Sequence, residues 1–173
     1  MDAPPFAAGV LAAARDAAKA HLRIAGSAED DALTAHVAAA LALCEAFTGT
    51  SLVTREWQET LPADRGWRRL GTTPVVAIHS VSDAGGVAMP AASYAIDLDA
   101  FGQGWVRVTA PGGTRLVRVG YRAGLAAGWD ALPAPIAQGV VLLAAHLFEA
   151  RAIGGAPPAA VAALWRPWRR VRL

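Results

Sequence analysis

The sequence lacks the features on which cysteine chemistry, metal binding and membrane insertion depend. It has one cysteine, Cys44, which excludes an intramolecular disulfide and provides no cysteine cluster for a metal. Its longest apolar run, residues 139–145, is far shorter than the roughly 18 to 20 residues that span a bilayer. The opening "MDAPPF" has neither the basic start nor the apolar segment of a signal peptide. We therefore expect a soluble cytoplasmic protein with no membrane contact.

Charged residues are also scarce, and their distribution is uneven. They make up 17% of the chain against 54% apolar residues, which predicts a globular fold rather than disorder. The net charge is +2, but the last nine residues alone supply +4, so the rest of the chain sums to −2. A surface that binds nucleic acid broadly would spread its basic residues more widely. The basic excess at the end instead indicates a docking tail.

Two helices are predicted within residues 6–49. The first is rich in alanine, whose small side chain favours helix and permits close packing between helices. Ser27 can cap the second helix, with Asp30 in its favourable first turn. Spacings of four and three residues then place one apolar stripe along this helix, and Gly49 supplies a stop. The stripe consists of Leu33, Val37, Leu41, Cys44 and Phe47.

Residues 50–124 are rich in β-branched and aromatic residues separated by glycine-rich turns, which indicates about five strands joined as hairpins. Residues 131–165 return to helical patterns, with prolines at the entrance and a break at "GGAPP". Pro167 ends the last helix, so residues 166–173 are predicted to be an extended docking tail. The predicted fold class is α+β: a bundle of two N-terminal and two C-terminal helices with an inserted antiparallel β segment, all in one domain.

No set of residues in the sequence predicts catalysis, a metal site or a cofactor. Cys44 lies on the apolar stripe, where a thiol packs as a small apolar side chain rather than acting as a nucleophile. Asp97 and Asp99 flank a glycine turn, where carboxylates are usually solvated. The four histidines belong to separate segments without metal-ligand spacing: His21, His36, His79 and His146.

A basic and aromatic cluster in the β segment is a second candidate interface. Three arginines surround a tryptophan in "DRGWRRL", and further arginines lie on the strands, so this region could face phosphates or a protein. The simpler interpretation is a solvated hairpin surface. The candidate residues are Arg65, Trp67, Arg68 and Arg69.

The end of the chain, "WRPWRRVRL", is the strongest candidate for a binding site. Burying one large apolar side chain is worth roughly 2 to 3 kcal/mol, so Trp165 and Trp168 must pack somewhere. They either fold back on this chain's own helices or anchor an extended strand on a partner, and we favour the partner because tryptophan and arginine predominate in binding hot spots. The predicted partner-binding residues are Trp165, Arg166, Trp168, Arg169, Arg170, Val171, Arg172 and Leu173.

The order of these parts resembles a known family. The motifs "EAFTGTSLVTREWQETL", "TTPVVAIHSV", "YAIDL", "VRVGYRAG", "LPAPIAQGVVLLAAHLFEAR" and "WRPWRRVRL" follow one another as in the head-tail connector, or adaptor, proteins of long-tailed phages and phage-like gene transfer agents. The resemblance covers nearly the whole chain. The chain differs from the minimal all-helical members of that family in its long β insertion.

The resemblance implies a structural protein without enzymatic activity that forms a ring, usually a dodecamer, beneath the capsid portal. It implies that the C-terminal tail docks into the portal protein, that a stopper or tail-proximal protein binds below, and that DNA passes through the lumen without sequence-specific binding. Assembly would take place in the bacterial cytoplasm and end in a virion or virion-like particle.

A nucleic-acid-binding module remains the alternative, with the tail arginines on phosphates and a tryptophan stacked on bases. Four phosphate contacts on duplex DNA predict a slope of about −3.6 for log affinity against log salt, whereas a tryptophan-anchored protein contact predicts a much smaller slope.

Overall fold

The chain runs through two helices, a set of strands and two further helices in the computed structural model, which describes residues 3–150 and 158–170. The predicted α+β fold, with antiparallel sheets inserted between helix pairs, is confirmed. The described residues form two units. A helical unit contains residues 5–53 and those from 126 onward, and a β unit contains Thr54–Leu125 with residues 3 and 4.

The helical unit contains α1 (Ala8–Leu22), α2 (Asp30–Thr48), α3 (Ala134–Glu149) and α4 (Ala159–Trp165). The predicted stripe of α2 forms much of its core: Leu33, Val37, Leu41 and Cys44 are fully buried, and Phe47 is half-buried. By length and hydropathy α2 also resembles a membrane span. Core helices share these properties, and α2 has a buried stripe of this kind, so a single such helix is weak evidence for a membrane span.

The start of α2 differs from the prediction. The N-cap position is occupied by Glu29 rather than Ser27, and no side-chain cap hydrogen bond forms there. The backbone carbonyl of Ser27 accepts a turn hydrogen bond from the Asp30 N–H over 3.1 Å. The helix begins at Asp30, whose carboxylate accepts a hydrogen bond from Lys19 Nζ at 2.5 Å and lies 3.6 Å from Arg15. A carboxylate in the first turn also interacts favourably with the helix dipole. The connection from α1 is therefore fixed by ion pairing instead of a cap.

The strands of the β unit are β1 (Arg55–Pro62), β2 (Arg68–Arg69), β3 (Val75–Asp83), β4 (Tyr94–Leu98), β5 (Gly104–Val108) and β6 (Leu116–Ala123). They form two three-stranded antiparallel sheets, ordered β1-β6-β3 and β2-β5-β4. On the central strand β6, alternate residues face the core, and Tyr121 and Val119 are fully buried there. Five of the strands match the predicted segments. The two-residue strand β2 is too short to produce an alternating pattern in the sequence.

Candidate functional site

The first candidate site is the C-terminal segment, defined as residues 166–170, together with the end of α4 that precedes it. The predicted residues Val171, Arg172 and Leu173 lie outside the described part of the chain. The other five predicted residues occupy three different environments: a buried indole, a half-buried indole and exposed guanidinium groups.

Trp165 lies in the core of its own helical unit and is 3% exposed. Its Nε1–H donates a hydrogen bond to the carbonyl oxygen of Ile136 over 3.3 Å, and its ring centroid lies 5.9 Å from that of Phe47. Gly139 makes room for it, since a Cβ there would lie within 2.8 Å of two indole carbons. In the described chain Trp165 therefore packs on its own helices, the alternative to partner binding that the sequence left open, and its part in a partner contact stays a prediction. Its apolar surface is already buried against α3 and α2.

The extended part of the tail begins later than predicted. Arg166–Trp168 form a 3-10 turn that continues from α4, and the Arg169 N–H donates to the Arg166 carbonyl over 3.2 Å. Pro167 fits this turn because its fixed φ suits helical geometry and its missing N–H is not needed at the start. Arg169 is the first residue with an extended backbone (φ −71°, ψ 120°). Trp168 is half-buried and packs against the helical core.

The C-terminal segment is attached to the end of α2. The Arg170 N–H donates to the Thr48 carbonyl oxygen over 2.8 Å and so satisfies one of the last carbonyls of that helix. Gly49 follows with φ +67°, and a Cβ at this position would lie 3.5 Å from the Arg170 carbonyl oxygen. The glycine stop predicted from the sequence therefore also lies beside the returning chain. This attachment fixes the path of the segment as far as Arg170.

The exposed side of the C-terminal segment is cationic. Arg166 and Arg169 are exposed, and the Arg169 guanidinium lies 5.8 Å from the centroid of the Phe47 ring. Within residues 3–150 and 158–170, no carboxylate forms an ion pair with either arginine. These two charges beside the half-buried Trp168 are available to a carboxylate or a phosphate on another molecule.

The second candidate site is divided between the two faces of the β2-β5-β4 sheet. Arg68 pairs in register with the buried Val106, and its guanidinium forms an ion pair with Asp64. That contact holds the pKa of Asp64 below its usual value. Arg69 pairs with Trp105 and therefore lies on the opposite face. Arg65 is exposed in the turn before β2.

Trp67 stacks with an arginine that the sequence analysis did not include in this site. The Arg107 guanidinium lies 4.8 Å from the centroid of the Trp67 ring, a cation–π arrangement, and Trp67 is 43% exposed. Arg107 and Trp105 belong to β5, so only the strand register brings them beside Trp67 and Arg69. The sequence "GWVRV" could have predicted part of this arrangement, because the alternation of a strand places its tryptophan and its arginine on the same face.

Chains of similar structure come from gene transfer agent (GTA) particles. A chain from the neck of an empty GTA particle, computed with C6 symmetry, is 31% identical with a TM-score of 0.76, and the match covers 100% of this chain and 97% of that one. This chain belongs to the GTA neck proteins. A chain from the virion of a native GTA particle is 33% identical over 94% of this neck protein and 90% of its own length, with a TM-score of 0.70.

A third match to the neck protein comes from the neck of a native GTA particle computed with C12 symmetry. It is 29% identical with a TM-score of 0.72, and it covers 100% of this chain and 97% of that one. No family model matches the sequence, and no curated protein matches it significantly. The full-length structural similarity therefore carries the family assignment.

The described residues of the neck protein contain no group of three or more side chains able to hold a metal. Burial raises the pKa of the Cys44 thiol far above its usual value, so this side chain stays protonated and is a poor nucleophile. His79 Nε2 lies 2.8 Å from a carboxylate oxygen of Glu56, but both side chains are exposed on the sheet β1-β6-β3. An open groove of about 250 Å³ beside Asp83 and Arg115 brings no nucleophile and base together. These groups do not assemble a catalytic arrangement.

Proposed function

We propose that this neck protein is a structural head-tail adaptor. It forms a ring beneath the portal of a GTA-like particle, joins the portal to a stopper or tail-proximal protein, and leaves a lumen through which DNA passes. The observation that carries this proposal is the similarity of the full chain to neck chains at about 30% identity. The C6 and C12 symmetries of those particle necks support a ring.

The proposed portal-binding element is the C-terminal segment with its continuation through residue 173. Arg166 and Arg169 supply exposed guanidinium groups for an acidic surface, and Trp168 is a half-buried aromatic anchor beside them. Tryptophan and arginine are the residues that most often carry binding energy at interfaces. Trp165 contributes indirectly, because its burial fixes the end of α4 from which the C-terminal segment starts.

The attachment of Arg170 to Thr48 matters for how such a segment binds. The chain up to Arg170 follows a defined path on the helical unit, so residues 166–170 need little further ordering during docking. In a ring, many such segments engage one portal at once. Effective concentration then converts modest single contacts into a stable joint.

A portal-binding assay with purified proteins tests this proposal. A chain that ends at Trp168 removes Arg169, Arg170 and Arg172 but retains Arg166, and it keeps Trp165 in the core. A chain ending before Trp165 is unsuitable, because it would remove a core side chain. We expect the shortened chain to bind the portal at least about tenfold more weakly than the full chain, since it loses a cluster of interface arginines.

Charge reversal provides the matched test. The double variant Arg166→Glu with Arg169→Glu should also weaken portal binding, whereas Arg115→Glu with Arg122→Glu changes the same charge on exposed β-unit residues and should not. Equal portal binding by the full chain, the shortened chain and the Arg166 and Arg169 variant would overturn the assignment of the docking element.

The salt dependence of binding separates this proposal from nucleic-acid binding by the tail. The burial of Trp165 removes one of the two tryptophans that could stack on bases in the alternative. Tight binding of duplex DNA with a slope near −3.6, abolished by the tail variants, would replace the portal proposal.

A further inference from the structure

The strand β4 is an outer strand of the sheet β2-β5-β4, and one of its edges is open. The Asp99 N–H just after β4 donates to the Gln103 carbonyl oxygen over 3.1 Å, so the odd-numbered residues of β4 exchange hydrogen bonds with β5. The even-numbered residues therefore direct their N–H and carbonyl groups to the open side. These residues are Tyr94, Ile96 and Leu98. In the part of the chain that the structure describes, no strand pairs with β4 on that side.

Protein sheets normally protect their outer strands, and three of the four outer strands of the β unit are protected. The strand β2 has only two residues. The strand β3 has two irregularities in its pairing with β6, and such bulges bend an edge away from a flat partner. The strand β1 carries Glu56 and Glu59 and ends at Pro62, which has no N–H. The strand β4 has no proline, bulge or lysine, so its edge is the best suited to pair with another strand.

The apolar core of the β unit continues to the open edge and is left uncovered there. Ile96 opposes Val106 in register, so both side chains lie on the same face of the sheet. Val106 is 1% exposed, whereas Ile96 is 45% and Leu98 is 42% exposed on that face. Phe101, in the turn after β4, is 79% exposed. A strand added beside β4 would cover part of Ile96 and Leu98, and burial of this apolar surface would stabilise the contact.

One charged side chain, that of Asp97, lies in this otherwise apolar strand. It is exposed on the opposite face of the sheet from Ile96, because neighbouring residues of a strand alternate. Among the described residues, no basic side chain forms an ion pair with it. A cationic side chain on an added strand would be attracted to this carboxylate, whereas an acidic strand or a phosphate backbone would be repelled. The edge thus favours a strand with apolar residues at alternate positions and a lysine or arginine between them.

We propose that β4 binds an extended segment of another protein, which adds to the open edge as a fourth strand of the sheet. The backbone of the segment pairs with the outward N–H and carbonyl groups of β4. Its alternate apolar side chains cover Ile96 and Leu98, and a lysine or arginine between them pairs with Asp97. This contact goes beyond the proposed function, because the portal-binding element belongs to the helical unit and does not involve β4.

A titration of the full chain with a synthetic peptide tests the contact. The peptide is Ser-Thr-Val-Lys-Val-Thr-Ser with blocked termini, whose pattern places lysine opposite Asp97 and the two valines opposite Ile96 and Leu98. We expect a Kd of about 1 mM or tighter by NMR, since a short strand supplies few hydrogen bonds. The largest chemical-shift changes, and slower hydrogen exchange, are expected at the outward amides of β4. The same peptide with glutamate in place of lysine should bind at least about threefold more weakly.

Variants of one residue separate backbone pairing from side-chain contact. Ile96→Pro removes an outward N–H but no hydrogen bond to β5, and it should weaken peptide binding at least about tenfold. Ile96→Thr keeps the N–H and a β-branched side chain, so it should weaken binding much less.

A charge swap gives a second test that does not depend on proline. Asp97→Lys should reverse the preference, so that the glutamate peptide binds more tightly than the lysine peptide. The matched control Asp130→Lys makes the same charge change on an exposed residue outside the β unit and should leave both affinities unchanged. Circular dichroism and melting temperatures check that all variants are folded.

Three outcomes overturn the proposal: no chemical-shift change in β4 at about 5 mM peptide, equal peptide binding by the wild type and a folded Ile96→Pro variant, or no reversal of preference by Asp97→Lys. Self-association of the wild type that Ile96→Pro abolishes also overturns it, because the added strand would then come from a second copy.

The portal assay is read separately from the peptide titration. Normal portal binding by Ile96→Pro, together with lost peptide binding, supports two separate contacts. Loss of portal binding by this variant would assign β4 to the portal and overturn the separation. Failure of the wild type to bind the portal contradicts only the proposed function.

Discussion

The indole of Trp165 packs on α3 at Gly139, where any Cβ would overlap its Nε1 atom. A terminal residue of α4 is thereby inserted between helices instead of pointing into solvent. The contact fixes where the C-terminal segment leaves the helical unit. It therefore links the packing of the core to the geometry of the proposed portal-binding element.

Replacing Gly139 by alanine should destabilise the helical unit despite the higher helix propensity of alanine. The methyl group would lie within 2.8 Å of Trp165 ring carbons in a fully buried site. Overpacking of this kind typically costs about 1 to 3 kcal/mol, more than the gain of about 0.5 to 1 kcal/mol from propensity. Denaturant unfolding followed by tryptophan fluorescence measures the difference. The matched control is Gly9→Ala in α1, where a Cβ meets nothing within 4 Å, and this change should leave stability equal or slightly higher.

The two tryptophans near the end of the chain should differ strongly in their effect on stability. Trp165→Ala empties a buried site and should cost about 3 to 5 kcal/mol. Trp168→Ala removes a half-buried ring and should cost about 1 kcal/mol. Thermal unfolding by circular dichroism compares the two variants. Equal costs would show that the buried position of Trp165 does not describe the chain in solution.

Gly102 lies in the loop between β4 and β5, and Gly112, in the loop between β5 and β6, is a matched control for it. Both have positive φ, so alanine at either position carries a backbone cost of about 1 to 2 kcal/mol. Only at Gly102 would the new Cβ also collide, at 2.7 Å from the Cβ of Pro74. We expect Gly102→Ala to lower the unfolding midpoint clearly more than Gly112→Ala does. Similar midpoints for the two variants would mean that the close approach to Pro74 is absent.

The ion pair at the start of α2 predicts a specific pH dependence. The hydrogen bond from Lys19, supported by Arg15, lowers the pKa of Asp30 below its usual value near 3.8. Because the folded pKa is lowered, the pair stabilises the fold above this usual value, and the contribution is lost as the pH falls through the folded pKa. The melting temperature of Asp30→Asn should therefore be lower than that of the wild type near about pH 6, and the difference should shrink as the pH falls below the usual pKa of the carboxyl. A difference that persists unchanged at the acid end would contradict this account.

Local patterns predicted the elements of the fold well where the pattern was long enough. The stripe from Leu33 to Cys44 gave the buried face of α2, and alternation gave five strands. The strand β2 was not predicted, because two residues are too few to show an alternating pattern. The predicted cap at Ser27 was wrong. The helix α2 begins at Asp30, whose carboxylate pairs with Lys19 on the other helix α1.

The second candidate site illustrates why the candidate residues were only partly predicted. Arg68 and Arg69 are neighbours in the sequence and seemed to form one cluster, but neighbouring residues of a strand face opposite sides. The partners of Trp67 and Arg69 come from β5, about forty residues later, and the pairing register alone brings them together.

The sequence by itself determined the order of helices and strands, the apolar face of α2, the stop at Gly49 and the cationic end of the chain. These depend on residue type and on short-range period, which are the same in any tertiary setting. Only the tertiary structure decided that Trp165 is a core residue while Arg166 and Arg169 stay exposed. The sequence shows that an indole must be buried, but its position depends on Gly139 of α3, which has no Cβ and so leaves room for the ring.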